Sequence, residues 1–461
     1  MDVKGKKITV VGLGISGKAA AILLKQKGAE VYATDSSSSD NTKAISEELK
    51  RAGISVETGR HTEDFIKGSE LVVVSPGVMD SSDALRFADK NSMPVVSEIE
   101  LASWFCKAPI IAVTGTNGKT TTATLIGLFL KAEGKESVVC GNIGEAFCEK
   151  VNDIRSDQIA VVEVSSFQLK RINSFRPKAA VITNITQNHF DWHVDFKEYF
   201  DSKKNIYKNQ RVEDYTVLNY DDHNLKNLEY ETHGQVYFFS RYTNVKGAYF
   251  DGKRLVLNKD EENSPVCSID DVELRGLHNV SNILSACICA DIFGVSASAM
   301  KKVLLGFKGL KHRFQNIADI DGINYIDDSK STTVDACKAA LLSCRDSVIL
   351  IAGGRDKGSD FSIIRGLIEK RVKAVILIGE AREKIRRALE GASNIHDARD
   401  MDEAVNISHD IAKRGDAVLL SPMCASFDMY KDYKHRGEAF QVAVKKLERK
   451  KNSVERIADS V

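Results

Sequence analysis

Proline is scarce here: six residues in a chain of 461, with no Pro-, Gly- or Ser-rich run between one part and the next. Joints between domains must therefore be short and leave little trace in composition. An excess of one charge is missing too. Lys and Arg number 65 against 64 Asp and Glu, for a net charge of +1, so no broad basic field marks a nucleic-acid partner. Paired cysteines are absent: the nine are scattered, none forms a C-x-x-C, and Cys287-x-Cys289 falls in a helical pattern. That argues against a disulfide framework or a zinc ribbon and for a reducing, cytoplasmic setting. No apolar run approaches ~18 residues, so no membrane span is expected. The chain enters a strand within a few residues of Met1, and no signal peptide is expected.

What the chain has is apolar material, 43 % of its residues, enough for a core in each of about three domains. Short apolar runs at 7–11, 31–34, 71–74 and 95–96 alternate with helical stretches, the βαβ order of a parallel sheet. A second α/β segment holds strands at 110–113, 159–164 and 179–185, a helical stretch at 196–209, a β-rich part at 236–274 and a helix at 278–293. A third has strands at 323–326, 348–351, 374–378 and 417–420, then a helix over about 432–450 and a polar tail expected to fray from Asn452. Joints are placed at Ser97 and Gly309, giving segments 1–97, 98–309 and 310–461.

The most informative stretch is PIIAVTGTNGKTT, from Pro109. A buried strand, a Gly-containing turn (Gly115, Thr116, Asn117, Gly118) and a helix start make an anion cradle, because N–H groups at the helix N-terminus and the helix dipole both favour a phosphate. Lys119 adds a point charge for the β/γ-phosphates, and the Thr120 hydroxyl suits Mg²⁺. The usual G-x-x-x-x-G-K-[ST] spacing wants glycine where Val113 stands; the alternative is an ordinary strand–turn–helix corner. Near the start, GLGISG (Gly12, Gly14, Gly17) opens a helix, and Asp35 ends the next strand. That pattern fits a diphosphate ligand, a nucleotide-sugar or NAD, so a nicotinamide dehydrogenase is a rival.

Glu163 ends the apolar run VVEV and needs a cation: Mg²⁺ beside a triphosphate, or a Lys or Arg. His189-Phe190-Asp191-Trp192-His193 raises a metal, with zinc short of further ligands, one histidine assisting Mg²⁺ preferred and a packed histidine the alternative. Lys203-Lys204, taken alone, reads as a solvated helix face. Three strand-end loops, DDSKSTT (327–333), GGRDK (353–357) and SPMCASFD (421–428), carry Lys and Ser toward a crevice, as an anionic substrate requires.

Together GLGISG, SPG, GTNGKTT, EVSSFQL, NHFDWH, KKNIY, GLHNVSN, KHRF, DDSKSTT, GGRDKGSDF and SPMCASFD run the length of the chain in an order that resembles the Mur ligase family of peptidoglycan synthesis. DDSKSTT resembles the loop of the D-glutamate-adding branch. The resemblance implies an α/β fold of three domains: a Rossmann-like N-terminal domain for UDP, a P-loop-type central ATPase domain and a Rossmann-like C-terminal domain for the amino acid. It implies ATP-driven amide formation through an acyl phosphate, joining UDP-N-acetylmuramoyl-L-alanine and D-glutamate, in a cytoplasmic protein expected as a monomer. By the same resemblance, Gly115, Thr116, Asn117, Gly118, Lys119, Thr120, Thr121, Asn279, Asn282, Arg313 and Asp328 would hold ATP. Two Mg²⁺ would be served by Thr120, Glu163, His189 and Lys203, the last as a carbamate. Gly14, Ser16, Asp35, Ser36, Ser75, Gly77, Asn142 and Ser165 would hold the UDP substrate. Lys330, Thr332, Lys357, Ser426 and Phe427 would line the D-glutamate site. Lys119, His189, Lys203, Lys330 and Lys357 would be catalytic.

Overall fold

The computed structural model describes residues 2–186, 192–259, 262–274, 276–344, 347–356 and 358–458, with side chains through 449. Three sheets organise it. Strands β1 (Lys7–Val11), β2 (Glu30–Asp35), β3 (Ser55–Thr58), β4 (Leu71–Val74) and β5 (Val95–Ser97) form an all-parallel sheet in the order β3-β2-β1-β4-β5. The run Leu71–Val74 is buried at every position, as a strand covered on both faces must be. Strand order reverses at β1, so the loops after β1 and β4 open on one crevice. Those loops hold Gly12–Gly17 and 75–77.

The second sheet has nine strands, β6 (Ile110–Thr114), β7 (Ser137–Gly141), β8 (Ile159–Glu163), β9 (Ala179–Ile182), β10 (Tyr215–Asn219), β11 (Gln235–Ser240), β12 (Gly247–Phe250), β13 (Arg254–Lys259) and β14 (Glu262–Ser268). Their order is β14-β13-β12-β11-β10-β9-β6-β8-β7, which puts β6 between β8 and β9. The third sheet, β15 (Gln315–Ile320), β16 (Ile323–Asp327), β17 (Val348–Gly353), β18 (Val372–Ile378), β19 (Asn394–Asp397) and β20 (Ala417–Leu420), has the order β15-β16-β20-β17-β18-β19. Here β16, β20 and β17 are neighbours, so the three loops singled out above leave adjacent strand ends. Both faces of this sheet are covered: Val348, Leu350 and Ala352 enter one core and Ile349 and Ile351 the other, the alternation a strand imposes.

By compactness the chain forms two units, 1–271 with 280–305, and 272–279 with 306–461. The first two sheets share the first unit because one apolar core runs through both: Leu13 and Leu23 belong to the same cluster as Leu101, Phe147 and Phe175. In the second unit the helix Tyr433–Ala458 lays Phe440, Ala443, Val444 and Leu447 into the core, an i, i+3, i+4, i+7 stripe. This helix corrects the expected tail. It continues through Asn452 to Ala458, since the Ser, Val, Glu, Arg, Ile and Ala that follow include neither Gly nor Pro.

The joint after β5 is a buried helix, Glu98–Ser103, and it carries two acids with no exposed surface. Glu100 is fully used, accepting the N–H groups of Asn173 (3.0 Å), Ser174 (2.8 Å) and Phe175 (2.7 Å) and the indole N–H of Trp104 (2.8 Å). Glu98 accepts the Cys148 N–H (2.6 Å) and a long bond from Gln168 Nε2 (3.4 Å), and burial outweighs these and pushes its carboxyl up to about 7. The folded state therefore binds a proton that the unfolded chain releases near its ordinary value of 4.5. The sign is fixed: stability from this group is complete below that value and is lost as pH rises through about 7. Glu98→Gln, which cannot ionise, is expected to gain on the native protein by up to about 3 kcal/mol between about pH 5 and about pH 8, read from denaturant midpoints at both pH values.

Candidate active site

The strand, turn and helix expected to cradle a phosphate form as their residue types require. Strand β6 is buried throughout, and its chain turns over residues 115–118 into the helix Lys119–Ala132. Gly118 caps that helix at φ +85°, and Gly115 sits at φ +146°. Both positions also lack room: an added Cβ would lie 1.9 Å from Thr183 Oγ1 at Gly115, and 2.1 Å from Asn282 Oδ1 at Gly118. Two glycines thus satisfy the turn, and Val113 stays in the strand with no exposed surface. The loop is stapled on its outer side. Asn117 N–H donates to Asn184 Oδ1 (3.0 Å), Thr183 Oγ1 donates to the Asn117 carbonyl (2.6 Å), and the Thr116 hydroxyl meets the Tyr199 hydroxyl (2.9 Å). Thr120 and Thr121 stand in the helix's first turn, where backbone N–H groups point outward.

Two lysines converge on this loop. Lys119 Nζ folds back to the carbonyls of Gly115 (3.0 Å) and Thr116 (2.9 Å). Lys203 Nζ donates to the same Gly115 carbonyl (2.9 Å). Its side chain is among the largest fully buried ones, which corrects the solvated-face reading: only Lys204 keeps a partly exposed side chain, paired with Glu231. The helix Phe196–Lys204 turns its buried stripe, Tyr199, Ser202 and Lys203, toward the cradle. Burial, and then the neighbouring Lys119 charge, hold the Lys203 amine well below the ordinary lysine range; Glu163 acts the other way.

Glu163 ends β8, in register with Val113 of β6. Its Oε1 accepts from Asn142 Nδ2 (3.0 Å), while Oε2 is buried with no hydrogen-bond partner among the described residues. A buried, unpartnered carboxylate oxygen beside this loop fits the donor set of a divalent cation. Among the described residues no group of three or more His, Cys, Asp or Glu is placed to hold a metal ion. Ser165 is bound in a capping box with Gln168. His189 lies outside the described residues. His193 is the packed alternative: 2 % exposed, sharing a 2.9 Å hydrogen bond with Ser166 Oγ, stacked on Phe167, and held below the usual histidine value by burial.

In the first sheet, the glycines of GLGISG each do a separate job. An added Cβ at Gly17 would lie 1.7 Å from the Gly12 carbonyl, and one at Gly12 would lie 2.6 Å from Val78 Cγ2. Gly14 caps the helix Ile15–Gln26, with Ser16 in its first turn. Asp35 braces the loop, accepting the N–H groups of Leu13 (2.6 Å) and Ser37 (2.7 Å). Ser36 and Gly77 are exposed and Ser75 is buried beneath the Gly12 turn.

The second unit assembles the three strand-end loops. Asp328 is buried, accepting from Ser421 Oγ (3.1 Å), Ser331 Oγ and the Phe314 N–H (3.0 Å); burial pushes its carboxyl up to about 7. Asp327 accepts from Gln441 Nε2 (2.9 Å) and pairs with His312 Nδ1 (2.7 Å). Lys330 Nζ lies 4.0 Å over the Tyr433 ring. Thr332 is half-buried, Ser426 is buried, and Phe427 is 61 % exposed. Arg313 adds its charge near Asp328. Asn279 is buried in this unit, and Asn282 is buried in the first. Lys357 lies outside the described residues.

Arg436 was absent from the sequence reading. It is 1 % exposed and reaches all three loops, donating to the carbonyls of Ser329 (2.9 Å) and Cys424 (3.1 Å), to Ala425 (3.3 Å) and, at 3.5 Å, to Gly353. The available signal was its place on the buried stripe, four residues before Phe440 and seven before Ala443.

Known proteins share this arrangement. Residues 6–97 match the Mur ligase MurD-like N-terminal domain, 113–290 the Mur ligase middle domain, and 312–424 the Mur ligase glutamate ligase domain. The chain is 40 % identical to a protein of Geotalea daltonii named UDP-N-acetylmuramoylalanine–D-glutamate ligase, over 97 % of this chain and 99 % of that one. A protein of Koribacter versatilis with the same name is also 40 % identical, over 97 % and 99 %. The crystal structure of UDP-N-acetylmuramate-alanine ligase MurC from Thermotoga maritima has the same fold, with a TM-score of 0.59 at 18 % identity over 97 % of this chain and all of that one. With three domain matches in chain order and relatives aligned nearly end to end, the dehydrogenase alternative falls away, and the chain belongs to the Mur ligase family.

Proposed function

We propose that this protein is an ATP-dependent ligase that joins D-glutamate to UDP-N-acetylmuramoyl-L-alanine, in the cytoplasm, as a monomer. The observation that carries the reading is the two-glycine cradle with Lys119, Lys203 and the bare Glu163 oxygen gathered at one loop. The segments 1–97, 98–309 and 310–461 would take the UDP group, ATP and the amino acid. Residues 115–121 would hold the phosphates, with Asn279, Asn282, Arg313 and Asp328 on the nucleoside. Gly14, Ser16, Asp35, Ser36, Ser75, Gly77, Asn142 and Ser165 would lie along the UDP substrate, and Lys330, Thr332, Lys357, Ser426 and Phe427 along D-glutamate.

The alanyl carboxylate attacks the γ-phosphorus, the bond to the β–γ bridging oxygen breaks, and ADP leaves. The D-glutamate amine then attacks the acyl-phosphate carbonyl; the C–O bond breaks, phosphate departs and the amine loses a proton. Lys119 would neutralise charge on the transferring group. Thr120 and Glu163 fit one Mg²⁺, and His189 with Lys203 would serve a second; bound there, the metal supplies charge neutralisation on phosphate oxygens. Lys203 fits its part only after modification. Its neutral amine is the form that adds to CO₂, an N–C bond forming and a proton leaving, which turns a cation into an oxygen donor. The test is phosphate release with UDP-N-acetylmuramoyl-L-alanine and ATP against a panel of amino acids. D-Glutamate alone should support turnover. Turnover with alanine, a diamino acid or a dipeptide would assign another branch of the family.

A further inference from the structure

A cluster of charges in the first unit lies outside every role assigned above. Lys170, the last residue of the helix Ser166–Lys170, pairs with two carboxylates at once. One is Asp80, three residues past the turn at 75–77. The other is Glu198, in the first turn of the helix Phe196–Lys204. Arg171 reinforces the first contact, with its guanidinium 2.8 Å from Asp80 and 3.5 Å from Asp89. Glu198 Oε2 accepts the Val194 N–H (2.8 Å) and stands 3.6 Å from His193 Nδ1. The ammonium of Lys170 also lies 5.1 Å over the Trp192 ring.

This is not a loose surface pair. The side chains of Lys170, Asp80 and Glu198 are 22, 34 and 27 % exposed, and several charges share one network, the condition under which ion pairs hold geometry. What it connects is specific. Asp80 belongs to the loop that follows Ser75 and Gly77. Glu198 belongs to the helix that sends Tyr199 to Thr116 and Lys203 to the Gly115 carbonyl. The cradle keeps its own staples to Asn184 and Thr183 and Asp80 keeps Arg171, so what loss of Lys170 removes is the bridge that ties the loop around residue 80 to Glu198.

We propose that Lys170 is a positioning residue that, by holding Asp80 and Glu198 together, fixes the nucleotide-sugar loop at 75–80 relative to the helix seated on the phosphate cradle. The proposal rests on the ligase reading above. It is tested by phosphate-release kinetics on the full-length protein and its Lys170→Ala, Lys170→Arg and Glu198→Gln variants, with each substrate varied in turn and melting temperatures recorded. Lys170→Ala is expected to raise KM for UDP-N-acetylmuramoyl-L-alanine by about ten-fold and to lower kcat, with KM for ATP within about two-fold. Lys170→Arg should restore most of the loss, and the isosteric Glu198→Gln should shift the same KM in the same direction even if the alanine variant folds poorly. Unchanged KM values in Lys170→Ala, an equal rise for both substrates, or no recovery with arginine would overturn it. A wild-type protein that releases no phosphate would sink the ligase reading and this inference with it; active wild type with unaltered variants would sink this inference alone.

Discussion

Lys119→Ala is expected to lower ATP-driven phosphate release by about a thousand-fold at saturating substrate while leaving the fold intact. The lysine stands at the first position of the helix Lys119–Ala132, and its ammonium lies against two carbonyls of the turn. Removing it does not orphan the turn, because Lys203 still donates to the Gly115 carbonyl and Asn184 and Thr183 still hold residue 117. The loss therefore falls on charge presented to the transferring phosphoryl group. A side effect has a definite sign. Lys119 is one of the two influences that lower the Lys203 amine, so the variant should make Lys203 easier to protonate. Lys119→Arg should not rescue, since a planar fork does not fit where a compact ammonium sits. A single-turnover assay, with the melting temperature as control, reads the result.

Arg436→Ala is expected to cost about 3–5 kcal/mol of stability in the second unit, from buried main-chain carbonyls that lose a charged donor at about 1–3 kcal/mol each together with the packing of the lost side chain. The guanidinium stays charged at neutral pH even though burial lowers it to about 10. Its hydrogen bonds go to main-chain carbonyls of Ser329, Cys424 and Ala425; the Ala425 carbonyl keeps the Arg355 N–H (2.9 Å), so alanine takes the guanidinium donor chiefly from the buried Ser329 and Cys424 oxygens. Gly354 lies close as well: an added Cβ there would meet the Ala425 carbonyl at 2.2 Å and Arg436 at 3.1 Å, so the loops cannot collapse into the space freely. Arg436→Lys should fall between the two, keeping the charge but losing the fork. Urea midpoints measure the loss. In protein that remains folded, KM for D-glutamate should rise more than KM for ATP, because Ser426, Phe427, Lys330 and Thr332 stand on these loops.

Local features of this molecule were legible in its sequence and distant ones were not. The strand, turn and helix start at 110–132 could be read because they are contiguous in sequence. Glu163 could be read because an acid at the end of a buried apolar run demands a partner. The three strand-end loops of the second unit could be read as a group, since βαβ order brings carboxyl ends to one side. Lys203 could not be told from Lys204 by composition. Two adjacent lysines point to different faces of one helix, and only the packing of Tyr199 and Ser202 shows which turns inward. Arg436 and Glu98 were missed for a related reason. Each is a charged residue in an ordinary helical run, and its burial is decided by chain far away in sequence: loops near 329 and 424 for Arg436, and Cys148 and Gln168 for Glu98. The last helix runs past the polar residues at its end to Ala458, because polarity alone does not stop a helix that meets no Gly or Pro.

The central claim, that the 115–120 turn presents ATP's terminal phosphate to a carboxylate of the nucleotide-sugar substrate, has a direct measurement. The alanyl carboxylate of UDP-N-acetylmuramoyl-L-alanine is labelled with ¹⁸O, the ligation is run with ATP and D-glutamate, and the released phosphate is analysed by mass. The account predicts that each phosphate carries a carboxylate oxygen, since that oxygen leaves with phosphorus when the amine attacks. Phosphate free of label, with product formed normally, would contradict it.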